Sequence, residues 1–270
     1  MRSVHVNLIN RACAGLLDAC RGSVTLASSL TRPMISSAAS AYTTHAGATF
    51  AACGLPFRSH SSIQGPSTPL ALRVIWPGAE QLGFEAGWVM EQSIGPTPLI
   101  APLEMLAYAA ACTERLRLGV AVVVSSLHDP LQLAAAVTAV DRLSHGRVEL
   151  GISPGGGFRN FSAFGVDRET FVARFTEGLE LMKAAWSDEP RLNFKGRFRQ
   201  LEDVPIQPKP VQRPHPPIWF GANAPKALAR AVGHGDGFLG AGSSTTAAFV
   251  QQVNIVHREL EEQGKDPSGI

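Results

Sequence analysis

The chain has 270 residues, 45% of them apolar and 17% charged, a globular balance that excludes collagen-like, coiled-coil and fully disordered classes. A net charge of +2, with no block of like charges, argues against a nucleic-acid or other polyanion partner. Cys13, Cys20, Cys53 and Cys112 lack CxxC spacing and are widely scattered, so neither a zinc site nor a disulfide framework is written here, and a reducing, cytoplasmic compartment is expected.

Residues 1–69 are rich in Ser, Thr and Ala. Up to residue 79 the chain holds six arginines and a single acid, Asp18, whereas the remainder is net acidic, so two compositions join near residue 70. The leader lacks the run of about eighteen apolar residues that a membrane span needs, and it lacks the charged start and clean apolar core of a secretion signal. It is assigned as a disordered or mistranslated extension. An organellar transit peptide and a strand without a recognisable pattern are the alternatives.

From residue 70 to 270 short β-rich runs alternate with helical stretches, the pattern of βα units on a parallel sheet. Gly87-Trp-Val-Met reads as a strand and Pro102 to Thr113 as a helix. Leu116 to Val124 is the next strand, and Pro130 to Leu143 the next helix, where Leu133, Val137 and Val140 share a face. Arg147 to Ile152 is a strand, followed by a long helix with the stripe Phe171, Phe175, Leu179, Met182 and Trp186. Phe194, Phe198 and Leu201 bracket the Lys195-Gly196-Arg197 turn of a hairpin, and six prolines between Pro205 and Pro217 force an extended crossing. Ile218-Trp-Phe, Pro225 to Val232, Gly237-Phe-Leu and Thr246 to Gln263 then read as strand, helix, strand and helix.

Side-chain parity suggests what these strands enclose. Leu116, Leu118, Val120, Val122 and Val124 fall on one face, opposite Arg117, Gly119 and Ala121. Val148, Leu150 and Ile152 oppose Arg147, Glu149, Gly151 and Ser153. In a barrel the apolar set would pack against an outer ring of helices, and the inner face would run from charged to small residues along each strand. Arg117, Arg147 and Glu149 lie at the N-terminal strand ends, which points to a structural charge network rather than to catalysis.

Chemistry in such a fold sits at the C-terminal strand ends. There Ser153-Pro-Gly-Gly-Gly-Phe offers bare backbone N–H groups to an anion, although a plain turn has the same composition. Gly221-Ala-Asn-Ala-Pro leads into a helix whose N-terminus is a natural phosphate seat. No G-x-G-x-x-G follows a strand, so neither loop is a Rossmann fingerprint.

Several runs are similar to the bacterial luciferase-like flavin monooxygenases. They are Arg115-Leu-Arg-Leu-Gly-Val-Ala-Val-Val-Val, Leu127-His-Asp-Pro, Asp141-Arg-Leu-Ser-His-Gly-Arg-Val-Glu-Leu-Gly-Ile, Phe164-Gly-Val-Asp, Phe198-Arg-Gln-Leu-Glu-Asp-Val, Pro208-Lys-Pro-Val-Gln-Arg-Pro and Pro217-Ile-Trp-Phe-Gly-Ala-Asn-Ala-Pro. Ala79-Glu-Gln-Leu-Gly-Phe-Glu-Ala-Gly-Trp-Val resembles the family's first helix running into its second strand. The resemblance implies an α/β fold of the (β/α)8 TIM-barrel type, holding reduced FMN, or in sister branches a deazaflavin coenzyme, at the C-terminal mouth. It maps a backbone bulge beneath the isoalloxazine ring to Ala121 and Val122. It maps phosphate contacts to Ser153, Gly155 and Gly156, to Gly221, Ala222, Asn223 and Ala224, and to an arginine for which Arg174 is the nearest candidate.

Two departures qualify the resemblance. Many members place Glu-His-His after the second strand, where this chain reads Glu91-Gln92-Ser93, and a glutamine cannot exchange a proton at neutral pH. Pro154 stands where some members carry an arginine. Glu91, Gln92 and His128 are therefore the candidate catalytic positions, His128 being a polar group near the mouth. Alternatively Asp129 caps the following helix and His128 is its surface neighbour.

Only units two to six of the expected barrel are legible, so an incomplete barrel, truncated at the C-terminal end, is expected. The function implied is a monooxygenase using reduced FMN and dioxygen on a small organic substrate, with a separate flavin reductase as supplier and a homodimer as a further possibility. A deazaflavin-dependent hydride-transfer oxidoreductase and a non-catalytic flavin-binding fragment are the alternatives.

Overall fold

A computed structural model describes residues 42–45, 48–51, 69–92, 94, 99–155, 161–240 and 244–266. Strands β1 (Tyr42–His45) and β2 (Ala48–Ala51) are followed by α1 (Pro69–Gln81), β3 (Ala86–Val89) and α2 (Pro102–Cys112). Next come β4 (Arg117–Val124), α3 (Pro130–Leu143), β5 (Val148–Ser153) and α4 (Phe171–Trp186). The hairpin β6 (Arg191–Lys195) and β7 (Gln200–Pro205) precedes β8 (Ile218–Gly221), α5 (Pro225–His234), β9 (Gly237–Leu239) and α6 (Thr246–Glu262).

The main sheet runs β1-β2-β3-β4-β5-β8-β9, parallel from β3 onward, as successive βα units with a barrel-type polarity require. Beta-branched and leucine side chains face the helices: Leu118, Val120, Val148, Leu150 and Ile218 are wholly buried. Each such burial contributes about 1.5–3 kcal/mol. Helices α2, α3 and α4 answer with Leu106, Val137 and Leu181. Trp186 closes this layer and donates its indole N–H to Thr138 Oγ1 at 3.0 Å, so its polar atom is not stranded.

Three expectations change. Within the segment assigned as a leader, the β1 and β2 backbones pair antiparallel with each other and with β3. Their Thr- and Ala-rich sequence has no apolar alternation to announce a strand. Second, Val122 and Val124 do not share the face of Val120. The β4–β5 register shifts between Val120 and Val123, so Val123 enters the core and Val122 turns elsewhere. Third, Arg147 lies just before β5 and leaves the inner face. Its guanidinium donates to Leu116 O, Ala110 O, Thr113 O and Thr113 Oγ1, and so satisfies carbonyls at the C-terminal end of α2.

The expected inner charge network reduces to Arg117 and Glu149, which form an ion pair. Glu149 also accepts the Trp219 indole N–H at 2.7 Å. The Trp219 ring meets Trp88 edge-on, with centroids 5.9 Å apart. Each indole lies across a glycine on the next strand, Trp88 over Gly119 and Trp219 over Gly237. A Cβ at either glycine would fall 2.2 or 2.3 Å from the ring, so only a bare backbone permits this packing.

Candidate functional site at the C-terminal rim

Parallel pairing sets the C-terminal ends of β4, β5 and β8 side by side. The register shift near the end of β4 coincides with a cis Ala121–Val122 peptide, at the position expected for the bulge. Val122 is thereby placed against Gly221 of β8, where a Cβ would lie 3.0 Å from Val122 Cγ1 and 3.6 Å from Ser153 Cβ. Three strand ends that are distant in sequence thus meet at one junction.

Internal hydrogen bonds order the loops around that junction. Ser153 Oγ accepts from Gly155 N at 3.2 Å, and Gly155 has a positive φ of 78°, suited to glycine. Ser126 Oγ donates to Pro154 O at 2.7 Å, pinning the loop from the β4 side. After Gly221, Ala222 donates its N–H to Leu239 O, while Asn223 and Ala224 are exposed. Helix α5 then starts with Ala224 as N-cap, without a side-chain acceptor, and Pro225 in the first turn. Pro225 has no N–H, and Ala227 and Leu228 donate to Ala224 O, so Lys226 N–H is the first-turn amide left at this end of the helix, where Ala224 provides no side-chain cap. A helix start of this kind suits an anion such as a phosphate, while the bare backbone of Gly221 makes room for Val122 Cγ1. Gly156 lies outside the described residues.

The candidate proton-handling residues converge. Glu91, just past β3, is almost fully buried; its Oε2 accepts Val124 N–H and its Oε1 meets His128 Nε2, both at 2.6 Å. His128 is about one-third exposed and lines a cleft of about 340 Å³ with Ser125, Ser126 and Arg174. Asp129 caps α3 through the N–H groups of Leu131 and Gln132 and also pairs with Arg199 at 2.6 Å. The capping role expected of Asp129 is thus present, but His128 is a partner of a buried carboxylate rather than a mere surface neighbour. Gln92 is half-buried in the same loop as Glu91.

Arg174 is in this cleft and not on the Ser153–Gly221 junction. Its guanidinium stacks 4.3 Å from the Phe198 ring centroid, and its Nε donates to Thr170 Oγ1 at 3.1 Å. The hairpin turn that carries Phe198 is the reason, because it brings an aromatic face to the helix.

Sequence reasoning missed a set of carboxylates that hold the loops. Glu177 of α4 accepts from the N–H groups of Arg197, Phe198 and Arg199 and so seats the hairpin turn. Asp141 of α3 clasps Val211 N and Gln212 N, tying the proline-rich crossing to the opposite end of the sheet. Glu80 of α1 accepts from Glu114 N, Arg115 N and Leu116 N. Burial would raise the Glu80 carboxyl, but these three N–H donors and the nearby Arg115 charge outweigh it and hold its pKa below the ordinary value. Acids followed far along the chain by short polar turns were the only sequence signal.

Successive βα units on a parallel sheet, with glycines at the C-terminal rim, define an α/β fold of the barrel type. The luciferase-like monooxygenase family model matches residues 54–270, and the chain belongs to that family. It is 33% identical over 204 residues to an F420-dependent glucose-6-phosphate dehydrogenase of Kineococcus radiotolerans, covering 71% of this chain and 58% of that protein. It is 30% identical over 164 residues to the oxygenase component of a flavin-dependent trigonelline monooxygenase of Acinetobacter baylyi, covering 58% and 44%. The crystal structure of monooxygenase RslO1 from Streptomyces bottropensis superposes with a TM-score of 0.66 at 27% identity, covering 73% of this chain and 60% of that one. The chain spans about half the length of the curated relatives it matches.

Proposed function

We propose that the rim holds reduced FMN and that the protein oxygenates a small organic molecule as a flavin-dependent monooxygenase. The observation that carries this reading is the meeting of Val122, Ser153 and Gly221 beside the uncapped N-terminus of α5. Likeness to the trigonelline monooxygenase component and to RslO1 supports it. When bound, the coenzyme would supply the redox chemistry and the reaction with dioxygen.

The chain's own residues would do the rest. The Ser153 hydroxyl, held by Gly155 N–H, and the Lys226 N–H in the first turn of α5 would hold the phosphate. Ala121 and Val122 would underlie the ring system, where the bulge re-aims the backbone. The edge-on Trp88–Trp219 pair would pack beneath the ring system between the strands. A separate reductase would deliver the reduced coenzyme.

A second reading, hydride transfer with a deazaflavin coenzyme, is favoured by the longer match to the F420-dependent dehydrogenase. Equilibrium titration of the full chain with FMN and with the deazaflavin coenzyme, followed by tryptophan emission, separates the two. Saturable quenching by FMN alone is expected, with dioxygen consumption once the bound FMN is reduced with dithionite; saturation by the deazaflavin alone selects the second reading, and no response to either refutes both.

A further inference from the structure

The cleft of about 340 Å³ between α4 and the β6–β7 hairpin shares no residue with the Val122–Ser153–Gly221 junction, so it is a recess of its own. Much of its wall is apolar, with Phe164, Phe175, Met182 and Phe198 contributing. Its two arginines differ. Arg199 is neutralised by Asp129 at 2.6 Å, whereas Arg174 has no ion pair among the described residues. The other acids of the cleft are engaged: Asp167 accepts from Glu169 N–H and from Thr170 Oγ1, and Glu177 accepts from three N–H groups of the hairpin turn. One cation therefore faces an apolar recess without a counter-charge.

The Arg174 guanidinium is held from two directions. Its Nε donates to Thr170 Oγ1 at 3.1 Å, and that hydroxyl is itself anchored on Asp167. Its Cζ lies 4.3 Å from the centroid of the Phe198 ring, which Arg197 also covers at 4.9 Å. Phe198 is fixed in turn, because its N–H donates to Glu177, one helical turn along α4 from Arg174. The two terminal nitrogens of Arg174 make no hydrogen bond to a described residue, and a planar fork of this kind matches the two oxygens of a carboxylate. A single free cation balances a monoanion, and the aromatic and methionine wall suits a hydrocarbon body. We propose that this cleft binds a small carboxylate with an apolar body, its oxygens on Arg174 and its body against Phe164, Phe175 and Met182. The site is separate from the coenzyme rim and does not depend on that reading. Arg174 is exposed, so water and salt screen the pairing, and affinities in the high-micromolar to millimolar range are expected.

Saturation-transfer NMR on benzoate mixed with the full-length chain is the direct test, with benzyl alcohol as the uncharged match and inorganic phosphate as competitor. Benzoate should bind saturably, benzyl alcohol about tenfold or more weakly, and phosphate at equal concentration should not displace benzoate. Arg174→Gln removes the charge and the fork from an exposed position, so its unfolding temperature should match the parent while its benzoate affinity falls by about tenfold or more. Tryptophan quenching by FMN should be the same in both proteins. Benzoate bound equally by Arg174→Gln, benzyl alcohol bound as tightly as benzoate, or no benzoate binding overturns the proposal. Loss of FMN binding in Arg174→Gln, together with displacement of benzoate by phosphate, also overturns it, because Arg174 would then belong to the coenzyme phosphate. FMN quenching that is absent from both proteins refutes the coenzyme reading, and the benzoate titrations then decide this site without it.

Discussion

Single atoms set how closely β4 and β8 approach at the rim. Gly221 lacks the one carbon that would press on Val122 Cγ1 at 3.0 Å, and a bulkier side chain there would fill the gap between three loops. Gly221→Val should keep the far-UV circular dichroism of the parent but weaken FMN binding by about tenfold or more, equivalent to about 1.4 kcal/mol, in fluorescence titration. The sequence placed Ser153 and Gly221 at the C-terminal ends of strands, because apolar runs stop there at small residues. It did not disclose that His128 touches Glu91, because 37 residues separate them and only sheet pairing of β3 with β4 brings them together. Val122 was misread for a related reason: an inserted residue in β4 inverts the parity beyond it, and no residue type marks the insertion.

At the scale of elements, the helices and strands from Gly87 onward were legible to within a residue or two, since Leu133, Val137 and Val140 or Val148, Leu150 and Ile152 carry unambiguous periods, whereas β1 and β2 carry none. What joins the elements was not, because it depends on acids meeting distant backbone. Glu80 illustrates this, reaching from α1 to the turn between α2 and β4. Its folded-state pKa is below the unfolded value, so its contribution is fully present above about pH 4.5 and disappears as pH falls through the lower folded value. Glu80→Gln should destabilise the chain by about 1–2 kcal/mol at pH 7 in urea unfolding, discounted for its partial exposure. The difference from the parent should shrink below pH 4.5. A difference that stays constant down to pH 3 would show that the carboxylate does not clamp this turn.

For the whole molecule, a ligand bound only to the folded state raises stability by mass action. FMN at about 100 times its dissociation constant should add about 2.7 kcal/mol and lift the unfolding temperature by roughly 5–10 °C in a thermal scan. The same scan on Gly221→Val at equal FMN should show a smaller rise, separating site occupancy from nonspecific effects. Family membership was readable from Asp141 to Ile152 and Pro217 to Pro225, yet the first of these runs works chiefly as a fastener: Asp141 and Arg142 grip the proline-rich crossing, and Arg147 ends α2. A recurring motif can therefore identify a family through its scaffold and say little about its chemistry.

Strands β5 and β8 are neighbours in the sheet, yet α4, the hairpin and the proline-rich crossing, some sixty residues, lie between them in the chain. Closing so long a loop carries the largest entropic cost of any pairing in the sheet, so this seam should zip up late during folding and open early under mild denaturant. Ser153 and Gly221 stand on its two sides. The protein would then become competent to capture an anion only as its last join is made, and a captured anion would act as a rivet across that join, slowing local opening before it affects the rest of the molecule.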